Sequence, residues 1–117
     1  MKTLILINEA PYGGEKAYNA MRLANQLGKD HPTTEVRIFL MADAAVCAIA
    51  NQNTPNGYYN IEGMLKLALS KGAKVKICGS CAEARGLKNA ALVEGTEMST
   101  MAELANWVVE SDKVLVF

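Results

Sequence analysis

Two cysteines separated by two residues, Cys78 and Cys81, sit in the segment Lys74-Val75-Lys76-Ile77-Cys78-Gly79-Ser80-Cys81-Ala82-Glu83-Ala84-Arg85-Gly86. There a short β-branched run gives way to a glycine and then to residues suited to a short helix. A thiol at such a turn meets backbone N–H groups carrying partial positive charge, which stabilise the thiolate. Cysteines so placed have pKa values lowered from about 8.5 to roughly 3.5–7.5. Cys78 is therefore a candidate nucleophile at neutral pH, and Cys81 a candidate accessory thiol. Arg85, seven residues after Cys78, is a further accessory candidate. Its long side chain leans toward the helix N-terminus and so toward the thiolate, or else complements the C-terminal dipole just before Gly86.

The same spacing admits other chemistry. A structural zinc ion takes four ligands, and one C-x-x-C with a single remote histidine, His31, supplies two, so neither a metal nor another cofactor is expected within the chain. A thiol–disulfide redox pair has the right local spacing, although the motif follows the third strand and the other elements do not suggest a thioredoxin pattern. Both thiols also fit as small residues packing a strand-to-helix turn. Cys47, in the apolar stretch Ala44 to Ala50, reads as a buried hydrophobe, and His31, beside Pro32 in a polar turn, as a surface residue.

A scaffold must present Cys78, and the chain alternates strand and helix to do so. Leu4 to Ile7 is a continuous aliphatic run that fits a strand covered on both faces. The loop Asn8 to Gly14 follows, and then a helix from Glu15 to about Gly28 with Ala17, Ala20, Met21, Ala24 and Leu27 on one face and Gly28 as its stop. Glu35 to Met41 supplies the second strand, and Asp43 is placed to cap a helix through Ala50. The polar stretch Asn51 to Tyr59 reads as a lid or subunit contact, and Ile61 to Ser70 as a helix ended by Lys71-Gly72. The third strand, Val75 to Cys78, precedes a short helix from Cys81 to Arg85 and an apolar segment at Ala90 to Val93. Ser99 or Thr100 caps the last helix, whose buried stripe is expected to be Met101, Leu104, Ala105, Val108 and Val109, with Trp107 turned toward another face and free for an oligomer contact. Lys113 to Phe117 is a terminal strand.

This alternation predicts one α/β domain over residues 1–117: a three-layer open sheet, mostly parallel, of four to five strands with helices on both faces. In such sheets the functional crevice lies beyond the carboxyl ends of the strands, where Cys78 would stand with Asn8, Pro11, Tyr12, Met41 and Asp43 as crevice candidates.

Composition narrows the partners. Twelve basic and twelve acidic residues cancel and no Lys/Arg cluster stands out, which argues against a nucleic acid or an anionic membrane. The loop from Asn8 to Lys16 lacks the glycine spacing of either phosphate-binding fingerprint. Met1 to Asn8 has too few consecutive aliphatics for a signal-peptide core, no later stretch approaches membrane-spanning length, and three cysteines cannot form a multi-bridge secreted framework. A cytoplasmic protein with free thiols is expected.

Two stretches, Asn8-Glu9-Ala10-Pro11-Tyr12-Gly13 and Cys78-Gly79-Ser80-Cys81-Ala82-Glu83-Ala84-Arg85-Gly86, resemble the DsrE/DsrF-like sulfur-relay family, most closely its small YchN-like branch. The resemblance extends through Phe39-Leu40-Met41-Ala42-Asp43-Ala44 to the terminal Asp112-Lys113-Val114-Leu115-Val116-Phe117. It implies a subunit of homo-oligomers, trimers or hexamers, that works with sulfur donor and acceptor proteins. It also implies that Cys78 accepts a sulfane sulfur as a persulfide and passes it on. The role does not carry over to Cys81, where relay subunits commonly have a small residue without a thiol. A second thiol there could attack a Cys78 persulfide, releasing sulfide and leaving a disulfide. Two alternatives stand beside the carrier: a homo-oligomeric module that binds a small ligand or a protein without turnover, and a C-x-x-C redox protein.

Overall fold

The Leu4–Ile7 run forms a strand whose Leu4, Ile5 and Ile7 are wholly buried, as a strand covered on both faces must be. In the computed structural model, which describes residues 1–117, the elements follow in the order β1 (Lys2–Ile7), α1 (Lys16–Asp30), β2 (Glu35–Leu40), a 3-10 helix (Ala42–Ala48), α2 (Ile61–Ser70), β3 (Lys74–Cys78), α3 (Gly79–Ala84), β4 (Thr96–Ser99), α4 (Met101–Glu110) and β5 (Lys113–Val116). The strands form one sheet in the order β4-β3-β2-β1-β5, and every neighbouring pair is parallel. The expected open α/β sheet is present with five strands.

Handedness explains the layers. From β1 to β4 the chain steps across the sheet in one direction, and right-handed crossovers keep α1 and α2 on one face. The return from β4 to β5 runs the opposite way, so α4 lands on the other face. Alternation along each strand then builds two cores. Ile5, Ile7, Val36, Ile38, Leu40, Val75 and Ile77 pack with α1, α2 and the 3-10 helix. Leu4, Phe39 and Cys78 face Leu104 and Trp107 of α4.

Four details depart from the sequence expectation. Helix α1 runs past Gly28 to Asp30. A Cβ at residue 28 would meet Lys71 Cδ at 3.0 Å, so this glycine answers the close approach of α1 to the end of α2 and does not stop the helix. The stretch after β2 coils as a 3-10 helix in which Met41, not Asp43, holds the cap position, because Ala42 turns into the left-handed region at φ 52°. The segment Ala90–Val93 gives only a bridge from Leu92 to Ile49, while the fourth strand is the polar Thr96–Ser99, a short edge strand with no apolar alternation to announce it.

The fourth concerns α4. Leu104 and Trp107 are its buried residues, whereas Met101, Ala105, Val108 and Val109 are exposed. Trp107 is thus a core residue and not an outward contact. Its ring stands edge-on to Phe39 at 6.3 Å between centroids, with the Arg37 guanidinium at 5.3 Å and the Lys76 ammonium at 4.8 Å from its centroid. Arg37 is itself buried and paired with Glu35 at 2.5 Å and Glu110 at 2.8 Å, and Lys76 pairs with Glu103. Two cations held by carboxylates around one indole fix α4 across β2 and β3.

Candidate functional site

Strand β3 passes into α3 with no intervening loop, so Cys78 is both the last strand residue and the N-cap of the helix. Glycine is required next: a Cβ at residue 79 would lie 3.0 Å from the backbone oxygen of Ser99. The turn folds back on Cys78 itself. The Cys81 N–H donates to Cys78 Sγ at 3.3 Å, and Ser80 Oγ stands 3.4 Å from the same sulfur. Gly86, at φ 73°, ends the turn after α3.

These contacts set the acidity order of the three thiols. Burial alone pushes the Cys78 thiol up, but hydrogen bonds from the Cys81 thiol, the Ser80 hydroxyl and the two backbone N–H groups outweigh it and hold Cys78 below the ordinary cysteine range. Cys81 moves the other way, raised by burial and by the Cys78 sulfur beside it, with the Ala42 N–H and then Arg85 opposing. Cys47 is wholly buried, and that burial pushes it up to about 12. Of the three, Cys78 is the only one held below the ordinary range.

Around its sulfur lies a cavity of about 250 Å³ lined by Phe39, Met41, Cys78, Ser80, Ser99, Thr100 and Met101. No charged side chain lines it. Ser99 and Cys78 are register partners on the parallel strands β4 and β3, so their side chains rise from the same face of the sheet. Ser99 is 94% buried by its 6% exposure, and its Oγ makes no hydrogen bond. The Glu103 carboxyl, held below its usual range by Lys76 first and by the neighbouring Ser99 hydroxyl second, is close enough to feel that hydroxyl without closing a hydrogen bond to it.

The remaining candidates are distributed among separate places. Arg85 does not reach Cys78: its Nη1 donates to the Cys81 carbonyl at 3.0 Å and its Nε to Asp43 Oδ1 at 2.9 Å, tying α3 to the 3-10 helix. Of the crevice candidates, Met41 lines the Cys78 cavity. Asn8 and Asp43 line a larger cavity of about 550 Å³ at the carboxyl ends of β1 and β5, together with Glu9, Lys16, Val116 and Phe117. Pro11 is buried in the first loop. The Tyr12 hydroxyl donates to Gln52 Oε1 at 2.5 Å and accepts from the Ile61 N–H at 3.1 Å, pinning the 51–60 loop. His31 is exposed. No group of three or more His, Cys, Asp or Glu side chains converges as metal ligands.

Sequence reasoning missed Ser80, Ser99 and Phe39 as neighbours of the thiol. Ser80 had a local signal, one turn position inside the C-x-x-C. Ser99 had none, because its approach to Cys78 depends on the β3–β4 register.

The DsrE/DsrF-like family model matches residues 1–117. Protein YchN of Escherichia coli K12 is 39% identical over 116 residues, spanning 99% of this chain and 98% of its own length. The uncharacterized protein MJ0989 of Methanocaldococcus jannaschii is 44% identical over 117 residues and covers 100% of both chains. The crystal structure of the E. coli YchN protein superposes with a TM-score of 0.94 over 99% of this chain and 98% of that one, at 39% identity. MTH1491 from Methanobacterium thermoautotrophicum, described as a protein of unknown function, superposes with a TM-score of 0.77 over 99% of this chain and 98% of that one. At 12% identity that likeness speaks to the fold alone.

Proposed function

The chain belongs to the DsrE/DsrF-like family, which is associated with sulfur relay, and from that premise we propose that it is a cytoplasmic sulfur-transfer protein carrying sulfane sulfur as a persulfide on Cys78. The observation that carries the reading is the hydrogen bonding of one sulfur: a mostly buried thiol that accepts from the Cys81 N–H and faces the Ser80 hydroxyl. Such a group attacks the outer sulfur of a donor persulfide as thiolate, and yields that sulfur to an acceptor thiol by the same exchange run in reverse. The proposed assembly is a homo-oligomer, a trimer or hexamer. It is supported by the apolar side chains that α4 and β5 leave in water, among them Val108, Val109, Val114 and Val116.

Intact mass after exposure of the reduced protein to a persulfide donor tests the carrier. The expected result is a gain of about 32 Da that reductant removes and Cys78→Ser abolishes. No adduct on Cys78 in the wild type would sink the reading and leave a binding module. A second reading, a redox dithiol, is favoured by the contact of the two cysteine side chains. It predicts instead a loss of about 2 Da in the wild type that Cys81→Ala prevents.

A further inference from the structure

The cavity beside Cys78 contains a feature that thiolate stabilisation leaves unexplained. Ser99 Oγ is buried without a hydrogen bond, the nearby Glu103 carboxyl not closing one, an arrangement that costs stability and that an added acceptor would relieve. Cys78 Sγ has its own donors, in Cys81 N–H and Ser80. Ser99 lines the same cavity as that sulfur, one strand over in register.

A persulfide adds one sulfur beyond Sγ, at an S–S bond of about 2.05 Å, and that outer sulfur must enter space next to Cys78. The walls suit it. Met41, Met101 and the Phe39 ring are polarizable and apolar, and a soft sulfur packs well against thioethers and ring edges. Of the three hydroxyls in the lining, Ser80 faces Cys78 Sγ, and Thr100, which accepts from the Glu103 N–H, is exposed and has water for its own hydrogen. Ser99 is the donor left for the outer sulfur.

We propose that this cavity is the subsite for the transferring sulfur, with Ser99 donating its hydroxyl hydrogen to the outer sulfur of the Cys78 persulfide, and that the molecule delivering or accepting the sulfur there is a small, uncharged thiol or its persulfide. This rests on the carrier reading and adds to it the chemical class of the substrate. The size limit follows from the volume: about 250 Å³ holds on the order of eight waters' worth of atoms at roughly 30 Å³ each. The charge limit follows from the lining, which holds no charged side chain, the one carboxylate near Ser99, that of Glu103, being paired with Lys76. Entry is past Met101, which is both a wall of the cavity and 65% exposed.

The step balances without an external oxidant or reductant. The Cys78 thiolate attacks the outer sulfur of R–S–SH. A Cys78 Sγ–S bond forms, the S–S bond of the donor breaks, and R–S⁻ leaves with the bonding pair. The proton on the new persulfide passes to R–S⁻, giving Cys78–S–S⁻ and RSH. Ser99 stabilises the product anion and makes no contact in the free thiolate, so it shifts the loading equilibrium and not the nucleophilicity of Cys78.

The test is the loading of reduced protein by the persulfide of 2-mercaptoethanol at a series of persulfide-to-thiol ratios, read by intact mass, in wild type, Ser99→Ala and Ser99→Thr. Ser99→Ala is expected to need about a ten-fold higher ratio for half-loading, the size of one hydrogen bond to an anion. Ser99→Thr, which keeps the hydroxyl, loads within about two-fold of wild type on the same ground. Iodoacetamide alkylates Cys78 at equal rates in all three proteins, and Ser99→Ala melts no lower than wild type because it removes an unsatisfied hydroxyl. Glutathione persulfide, larger and charged, loads at least about ten-fold more slowly than the neutral donor, in line with burying its charges unpaired. Equal half-loading ratios for wild type and Ser99→Ala, or equal rates for the two donors, overturn the subsite while leaving the carrier intact. Absence of any adduct on wild-type Cys78 removes the carrier and the subsite together.

Discussion

Arg85 donates to Asp43 at 2.9 Å, so the guanidinium that follows the two thiols in sequence is engaged on the neighbouring 3-10 helix and not on Cys78. The same side chain also holds the Cys81 carbonyl and lowers, as the least of several causes, the acidity threshold of the Cys81 thiol. Arg85→Ala should therefore act on Cys81. Its alkylation midpoint, followed by mass against pH, is expected to rise while that of Cys78 stays within experimental scatter. The pair is solvent-screened, so the loss of stability should be no more than about 1 kcal/mol. A Cys78 midpoint that moves as far as that of Cys81 would show that Arg85 acts on Cys78 as well.

The hydrogen bonds to Cys78 predict a pH dependence of definite sign. Alkylation of Cys78 should have its inflection below the ordinary cysteine value of about 8.5, and both Cys81→Ala and Ser80→Ala should raise it, since each removes a donor. Linkage gives opposite signs for the thiols. Cys78, lowered in the fold, contributes stability that is full above about 8.5 and is lost as pH falls through its folded value. Cys47, raised to about 12, contributes stability that is full below about 8.5 and is lost as pH rises toward its folded value. Chemical denaturation between pH 8 and 11 should show a decline that Cys47→Ala flattens; an unchanged slope in that variant would remove Cys47 from the account.

Trp107 is the anchor of the lone helix on its face of the sheet, enclosed by Phe39, Arg37 and Lys76. Trp107→Ala should cost about 3–5 kcal/mol in denaturant unfolding. It also removes a wall of the small core that includes Cys78, so alkylation of that thiol should accelerate. Trp107→Phe, which keeps an aromatic face for the cations, should lose less than half as much. A cost below about 1 kcal/mol for the alanine variant would show that α4 is held by other contacts.

The parts of the site readable from sequence were those with a local cause. The aliphatic run of β1, the glycine after Cys78, the Thr100 cap and the turn at Gly86 each act over a few residues, and each lies where composition placed it. What could not be read depended on distant partners. Gly28 looks like a helix stop until Lys71 is packed against it. Helix α4 carries apolar residues on more than one face, so counting hydrophobes selects the side with more of them, Met101, Leu104, Ala105, Val108 and Val109, although of these the sheet takes only Leu104, together with the large ring of Trp107. Ser99, a polar residue on a polar edge strand, gains meaning only from its register with Cys78.

Two glycines in helices should respond in opposite directions to the same change. At Gly63, inside α2, an added Cβ would approach nothing closer than 3.9 Å, so Gly63→Ala should gain about 0.5–1 kcal/mol from helix propensity. At Gly79 the added Cβ meets the Ser99 backbone oxygen at 3.0 Å, and that oxygen belongs to a strand paired with β3. It cannot yield as a side-chain tip would. Gly79→Ala should cost about 1–3 kcal/mol despite the better propensity. The damage is local to the site, because relief of the contact either parts β3 from β4 or tilts the first turn of α3. The first separates Ser99 from Cys78, and the second carries the Cys81 N–H away from the Cys78 sulfur. Thermal melts of the two variants, with Cys78 alkylation followed alongside, decide the matter. If Gly79→Ala melts as high as Gly63→Ala and alkylates like wild type, the close strand-to-helix junction is not what positions the thiol.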